Sequence, residues 1–487
     1  MNYIPTILIP GIGQSRVNLV DASGNKIKRA WPLDLDSKGL IKKLTGPLTK
    51  MMMFRRDAGF SDAVANLVKE AVAPLKIDEN GNFVENLKTE SFMKSVAECS
   101  DDEKRFIYRM VPVERLSDII GEDKLFFFAY NSFGNVREIA ADLDKFVDFV
   151  LEKTGCEKIN LVPISLGGAV ANEYLAKFAD KNRVHRVVNF VAATNGSLLI
   201  SDILEKNLNL EDPVALLSLI GGGSAEEIKP ILKALPAGVM ESCAEKVVDT
   251  IVYEVIKNST LMWAVVPREK YPALAENLIN NNKIIREQTD EFYNSHKDYK
   301  AFVENLMNSG VEFFNICGYG MQLIALIASS DVSSDTIINT SSASMGATTA
   351  KLGEELNCTD EKYLSPDKSV DASTSVLPDR TWFFKNQQHD GIAYNGVALD
   401  IAKNLLTNDE FNSVFSDENY PQFNNARSDG RVRKYINKAQ DKLSGFCNNA
   451  DELEKAIADA EKFLERTIVP ECGDAVVLAK LKSALGG

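Results

Sequence analysis

Short apolar runs alternate with stretches of helical periodicity along much of the chain. Residues 4–9, Leu125 to Tyr130, Lys158 to Ile164, Arg183 to Ala193 and Val311 to Tyr319 are continuous enough to be strands buried on both faces. Between the second and third runs, Ile139, Leu143, Phe146, Val147 and Val150 fall on one face of a helix from Val136 to Lys153. A further helix, Ala169 to Leu175, opens directly after the third run. This strand–helix alternation predicts an α/β fold: a mostly parallel central sheet with helices on both faces.

The core strands fall within residues 1–33, 124–197 and 311–406. A mostly helical, lid-like insertion is expected over 34–123, where Phe60 to Val72 has helical spacing and Asp78 to Asn82 reads as a turn. A helical cap is expected over 198–310, the place where a cap or lid would cover an active site. Within it, Gly221-Gly222-Gly223 and the capping box Ser224-Ala225-Glu226-Glu227 read as a helix-to-helix turn, because no core strand precedes them to make a phosphate cradle. After a helix from about Val397 to Leu406, residues 407–487 read as a polar helical appendage, for example Ala450 to Arg466.

The third apolar run ends in Ser165-Leu166-Gly167-Gly168. A serine on a tight strand-to-helix turn is the layout of a nucleophile elbow, an α/β-hydrolase feature. Pro163 stands where a glycine is usual. The first strand ends in Pro10-Gly11-Ile12-Gly13, glycines that would let a backbone N–H approach a reacting carbonyl, so Ile12 and Leu166 are the candidate oxyanion-hole donors.

A serine hydroxyl needs a base, and the chain has 3 histidines. His185 begins a core strand and reads as structural; His296, in Ser295-His296-Lys297-Asp298, reads as solvated. His389 lies in a late loop before a helix, in the chain order Ser…Asp…His that α/β-hydrolases use, and is the expected general base. Asp335 is the preferred carboxylate, with the apolar Ile337 and Ile338 just behind it; Asp331 stays open, whereas Asp390 adjoins the histidine, and next-door side chains rarely reach that geometry. Such a set carries out two-step acyl transfer without metal or organic cofactor.

Composition narrows the setting. The chain has 487 residues, 45% hydrophobic and 25% charged, as expected of a globular protein. A net charge of −14 argues against a nucleic-acid partner and against general affinity for anionic membranes. The 7 cysteines are scattered singly, with neither a disulfide framework nor zinc-ligand spacing. No basic leader or membrane-length apolar run is visible, which reads as a cytoplasmic protein. Met51-Met52-Met53-Phe54-Arg55-Arg56 could line an acyl site or make transient contact with a lipid surface, although such runs are more often core.

Taken in order, Pro10-Gly11-Ile12-Gly13-Gln14-Ser15, Tyr130, Ser165-Leu166-Gly167-Gly168, Asn258-Ser259-Thr260-Leu261-Met262-Trp263-Ala264-Val265-Val266-Pro267, Asp335-Thr336-Ile337-Ile338 and His389 form a series. It resembles the lecithin–cholesterol acyltransferase and lysosomal phospholipase A2 family of α/β-hydrolases, over roughly residues 6–400. The resemblance implies an α/β-hydrolase fold, triad roles for Ser165, Asp335 and His389, and acyl-ester chemistry. It also implies acyl-chain binding by the cap and lid, which makes Met52, Met53 and Trp263 candidate substrate contacts. Asn131-Ser132-Phe133 replaces the family's Asp-Trp-Arg, and no cysteine precedes Cys99 to form the family's lid disulfide. The expected activity is a serine-dependent acyl-ester hydrolase, of lipase, esterase or phospholipase type, or an acyltransferase, acting on a small-molecule or lipid ester. The alternatives are a non-catalytic binding protein on the same fold, or a thioester or peptide hydrolase using the same residues.

Overall fold

The computed structural model describes residues 3–33, 37–110, 120–208, 236–324, 327–358 and 361–426, with parts of 432–485. Seven strands form one parallel sheet: β1 (Thr6–Ile9), β2 (Leu125–Phe127), β3 (Ile159–Pro163), β4 (Val184–Phe190), β5 (Glu312–Tyr319), β6 (Thr381–Lys385) and β7 (Phe423–Asn425), in the order β2-β1-β3-β4-β5-β6-β7. Successive side chains point to opposite faces. Ile7, Phe126, Leu161, Val187 and Phe313 enter one core, while Leu8, Phe127, Val162, Val188 and Phe314 enter the other. Both faces are covered, which is why these strands read as unbroken apolar runs rather than alternating ones.

The helices used below are α1 (Ser37–Phe54), α2 (Phe60–Val72), α3 (Val136–Thr154), α4 (Gly167–Phe178), α5 (Ala237–Ile251), α6 (Lys283–Ser295) and α7 (Gly396–Thr407). Helices α3 and α4 contribute to the first core and α7 to the second. Helix α3 starts at Asn135, whose side chain accepts from the Arg137 N–H, and ends at Gly155 with φ of 66°.

The region before residue 124 is not purely helical. Val17–Val20, Lys26–Trp31 and Leu87–Thr89 form a separate antiparallel sheet. Helices α1, α2 and α5 share a satellite core of Leu44, Met51, Phe60, Val239 and Cys243, so the insertion packs on the cap. The seventh strand lies past residue 406, in a stretch expected to be helical, and Ala450–Leu464 and Ala475–Leu485 pack on each other around their own small core. The Gly221–Gly223 turn, the Ser224–Glu227 capping box and Arg466 lie outside the described residues. Among the described residues no helix is long and apolar enough to cross a membrane.

Because β1 sits between β2 and β3, the chain reverses its direction of travel across the sheet at that point. Loops leaving β1 and β3 diverge there, beyond the carboxyl ends of the strands, the edge where open α/β sheets place their ligands.

Candidate active site

Strand β3 delivers Ser165 to that edge. The serine has φ of 53°, a left-handed conformation that L-residues rarely adopt, and it is buried. Immediately after it, Gly167 N–H donates to Ile164 O (2.8 Å), Gly168 to Ser165 O (3.0 Å) and Ala169 to Leu166 O (3.1 Å). The Leu166 N–H donates to none of these acceptors and sits at the start of α4, where helix amides and the helix dipole favour negative charge.

Pro163 fits without loss. Asn160 and Ile164 donate to Pro5 and Ile9 of the first strand (2.8 and 2.9 Å), so alternation turns the Pro163 nitrogen toward β4. Its position lies between the Leu161–Val187 pair and the isolated Ile164–Phe190 bridge, in a gap of the β3–β4 register. The close helix approach falls to Gly167, where a side chain would collide with the Ile9 carbonyl.

The loop after β1 lies against the serine. A Cβ on Gly11 would come within 2.8 Å of Ser165 Cβ and 3.3 Å of its Oγ, so only glycine fits. Two bonds shape the loop: Gly11 N–H donates to Gln14 Oε1, and the Tyr130 hydroxyl donates to Pro10 O. Ser15 Oγ accepts from the Tyr130 N–H (3.3 Å). Ile12 is 45% exposed in this loop.

At the ends of β5 and β6 stands the second half of the site. His389 Nδ1 lies 2.7 Å from Asp335 Oδ2, and the His389 N–H donates to Asp335 O at the same distance. Asp335 Oδ1 accepts from the N–H groups of Ile337 (3.1 Å) and Ile338 (2.8 Å), which fixes the carboxylate's orientation. Both residues are buried. Burial by itself would depress the imidazole pKa, but the Asp335 charge and hydrogen bond outweigh it and hold His389 above the ordinary value. The open alternative, Asp331, instead pairs with Lys351 (2.7 Å).

The loop carrying His389 is anchored at α7, where Asn395 caps Val397 and Ala398 and donates to the buried Gln387 Oε1 (2.9 Å). Gly318 makes the close approach possible: a Cβ there would lie 2.6 Å from Gln387 O and 2.8 Å from Asp335 Cβ.

Hydrogen bonds join the two halves along the carboxyl edge. Ala193 N–H donates to Ser165 O (2.9 Å), and the next residues, Thr194 and Asn195, bond the carbonyl and hydroxyl of Ser342, just past the Asp335 turn. Positive φ recurs at this edge, at Ser165, Val191 and Asn386, each just beyond the end of a core strand, and at Thr336 beside Asp335. Strain gathered this way is a mark of functional sites.

Other expected residues are placed elsewhere. His185 is partly exposed, 3.3 Å from Asp409. His296 is buried rather than solvated, because the end of α6 tucks its ring against Phe292 (4.5 Å) and Phe302 (5.7 Å). Burial, and secondarily the Arg268 charge, pull its pKa down to about 3. Trp263 has no exposed surface and donates its indole N–H to Lys257 O (2.9 Å), so it braces the cap. Met52 and Met53 face solvent. Among the described residues no cluster of His, Cys, Asp and Glu suited to a metal ion is found. A cavity of 540 Å³ is lined by Phe83, Phe92 and Phe128 together with Glu138, Asp142 and Lys145 among others; it includes Tyr130 but none of Ser165, Asp335 and His389.

Comparison with known proteins agrees with this architecture. A family model described as alpha/beta hydrolase fold matches residues 121–208, which span β2, α3, β3, the Ser165 turn, α4 and β4. The chain has the α/β-hydrolase fold. No curated protein matches this hydrolase-fold chain. Among solved structures it is similar to phospholipase PlaB from Legionella pneumophila, at 14% identity and a TM-score of 0.25, over 52% of this chain and 43% of that one. It is also similar to a chain of the Tle4–Tli4 complex, at 12% identity and a TM-score of 0.30, over 65% of this chain and 75% of that one. The match therefore spans less than half the length of the phospholipase, and likenesses this distant carry nothing about substrate.

Proposed function

We propose that this hydrolase-fold chain is a serine-dependent hydrolase of carboxylic esters with apolar acyl groups, and that Ser165, His389 and Asp335 are its catalytic residues. One observation carries the reading. A buried His389–Asp335 pair and a strained, buried serine stand at the same carboxyl edge of one parallel sheet, joined through Ala193, Thr194 and Ser342. In this reading His389 Nε2 takes the Ser165 proton as Oγ attacks the ester carbonyl. Asp335 holds the imidazole through Nδ1 and stabilises the imidazolium that forms. The Ile12 and Leu166 amides receive the oxyanion, an interaction worth about 10²–10³ in rate per donor. Collapse expels the alcohol, which takes the proton back from His389. Water, deprotonated by the same histidine, then attacks the acyl-serine; its collapse releases the acid and returns the proton to Ser165.

Hydrolysis of p-nitrophenyl esters of increasing chain length, with wild type beside Ser165→Ala, tests the reading. The expected result is turnover with a length optimum, loss of nearly all of it in Ser165→Ala, and covalent labelling of Ser165 by a fluorophosphonate. A wild-type chain that neither turns over any ester nor takes the label would leave the binding-protein alternative in its place.

A further inference from the structure

Residues 37–56, which are α1 and the start of the turn after it, carry Lys38, Lys42, Lys43, Lys50, Arg55 and Arg56 and no acidic residue, in a chain of net charge −14. Lys43 pairs with Glu70 (2.6 Å), whereas among the described residues Lys42, Lys50, Arg55 and Arg56 have no carboxylate within ion-pair distance. The same end of α1 exposes large apolar side chains: Met52 is 66% exposed, Met53 67% and Phe54 53%. Met51 and Leu44 point the other way, into the satellite core with Phe60, Val239 and Cys243. One face of α1 is thus anchored to the protein, and its far end presents an apolar knob ringed by cations.

Cations near a helix C-terminus are favourable in themselves, which would account for Lys50, Arg55 and Arg56 but not for adjacent unburied methionine and phenylalanine. We propose that this end of α1 docks the protein on an anionic lipid bilayer. Phosphate headgroups would neutralise the free cations, while Met52, Met53 and Phe54 would enter the acyl boundary. Methionine suits that occupant, since its flexible unbranched chain conforms to a disordered phase better than to a fixed protein pocket. The overall negative charge, which opposes general affinity for anionic membranes, bears on orientation. An anionic surface repels the rest of the molecule, so the basic end is the one that can face it, and docking becomes oriented. The inference deepens the ester-hydrolase reading by naming a surface from which an apolar ester would be taken, and it rests on that reading only for the purpose of docking.

Co-sedimentation of the full chain with vesicles tests it. Wild type should pellet with phosphatidylcholine–phosphatidylglycerol vesicles and much less with pure phosphatidylcholine, and added salt should weaken binding. A Lys50→Gln/Arg55→Gln/Arg56→Gln variant should lose about fivefold per charge, on the order of a hundredfold together. Met52→Ser/Met53→Ser should lose on the order of tenfold or more. An unchanged thermal midpoint in the charge variant shows that it is folded.

Failure to pellet with either vesicle overturns the proposal, as does equal binding to both with no effect of the charge variant. So does a concentration-dependent dimer that Met52→Ser/Met53→Ser abolishes while vesicles go unbound, which would make the knob a contact between copies. Hydrolysis of a short, water-soluble ester separates this inference from the previous one. It should be unchanged in the charge variant, and Ser165→Ala should still pellet. Docking without any ester turnover leaves this inference standing and removes the hydrolase reading; turnover without docking does the reverse.

Discussion

Two buried imidazoles sit in surroundings that treat them in opposite ways. At the carboxyl edge of the sheet His389 faces a carboxylate that is itself held by two backbone N–H groups, and its pKa is raised. At the end of α6 His296 faces aromatic rings and a guanidinium, with Nε2 unpartnered, and its pKa falls to about 3. Burial opposes the charged form in both places, and the sign of the net shift is decided by whether a counter-charge is built in. In the proposed reaction the first environment would let the ring gain and lose a proton; the second keeps its ring neutral as a packing element.

The sharpest way to break this comparison is to remove each ring. His389→Ala should lower ester turnover by about 10⁴ or more, while His296→Asn, checked for folding by circular dichroism, should leave kcat within a fewfold of wild type. Next, Asp335→Asn should keep the loop but lose the counter-charge, with turnover falling by about 10⁴. In wild type the base must be neutral, so kcat/KM should rise with pH through a value above the ordinary imidazole pKa near 6.5. A wild-type profile with its acidic limb below that value would contradict the raised pKa.

A smaller effect concerns stability. His296 has a native pKa near 3 and an ordinary one in the unfolded chain, so the unfolded state binds more protons as the pH falls below about 6.5. Stability should therefore decline on acidification through that window, by about 2 kcal/mol between pH 7 and pH 5 for this group alone. His296→Phe should remove this part of the decline, read as the difference in urea midpoints at the two pH values.

Glu173 on α4 extends the comparison to a carboxyl. It is fully buried, neither side-chain oxygen has a hydrogen-bond partner, and burial raises its pKa. Its native form holds the proton more tightly than the unfolded chain does, so stability should fall as pH rises from the ordinary carboxyl range through the raised value. Glu173→Gln should flatten that fall, visible as a higher midpoint at pH 8 than in wild type.

Much of this arrangement is legible from residue order. Strands buried on both faces leave unbroken apolar runs, and a serine between such a run and a helix marks a candidate elbow. With so few histidines, a late loop histidine before a capped helix narrows the candidate base to one residue. Contacts between distant segments are harder to read. Nothing local to Tyr130 announces that its hydroxyl will hold the Pro10 carbonyl, and Gly318 inside a strand gives no hint that two loops will close on it. The burial of His296 depends on Phe292 and Phe302 approaching from either side of a turn, which helical periodicity on one segment does not reveal. Trp263 misleads for the reverse reason: an aromatic residue in a cap suits a ligand contact and a packing brace equally well until its indole N–H finds the Lys257 carbonyl.

The crowding around Gly11, Gly167 and Gly318 has a consequence for inheritance. Every glycine codon lies one base change from an alanine codon, and at each of these positions the added methyl runs into backbone or into an active-site side chain. A saturation survey of single-base changes should therefore show dead positions at these glycines as deep as those at Ser165, Asp335 and His389. Read without coordinates, such a map would credit chemistry to residues that contribute only empty space.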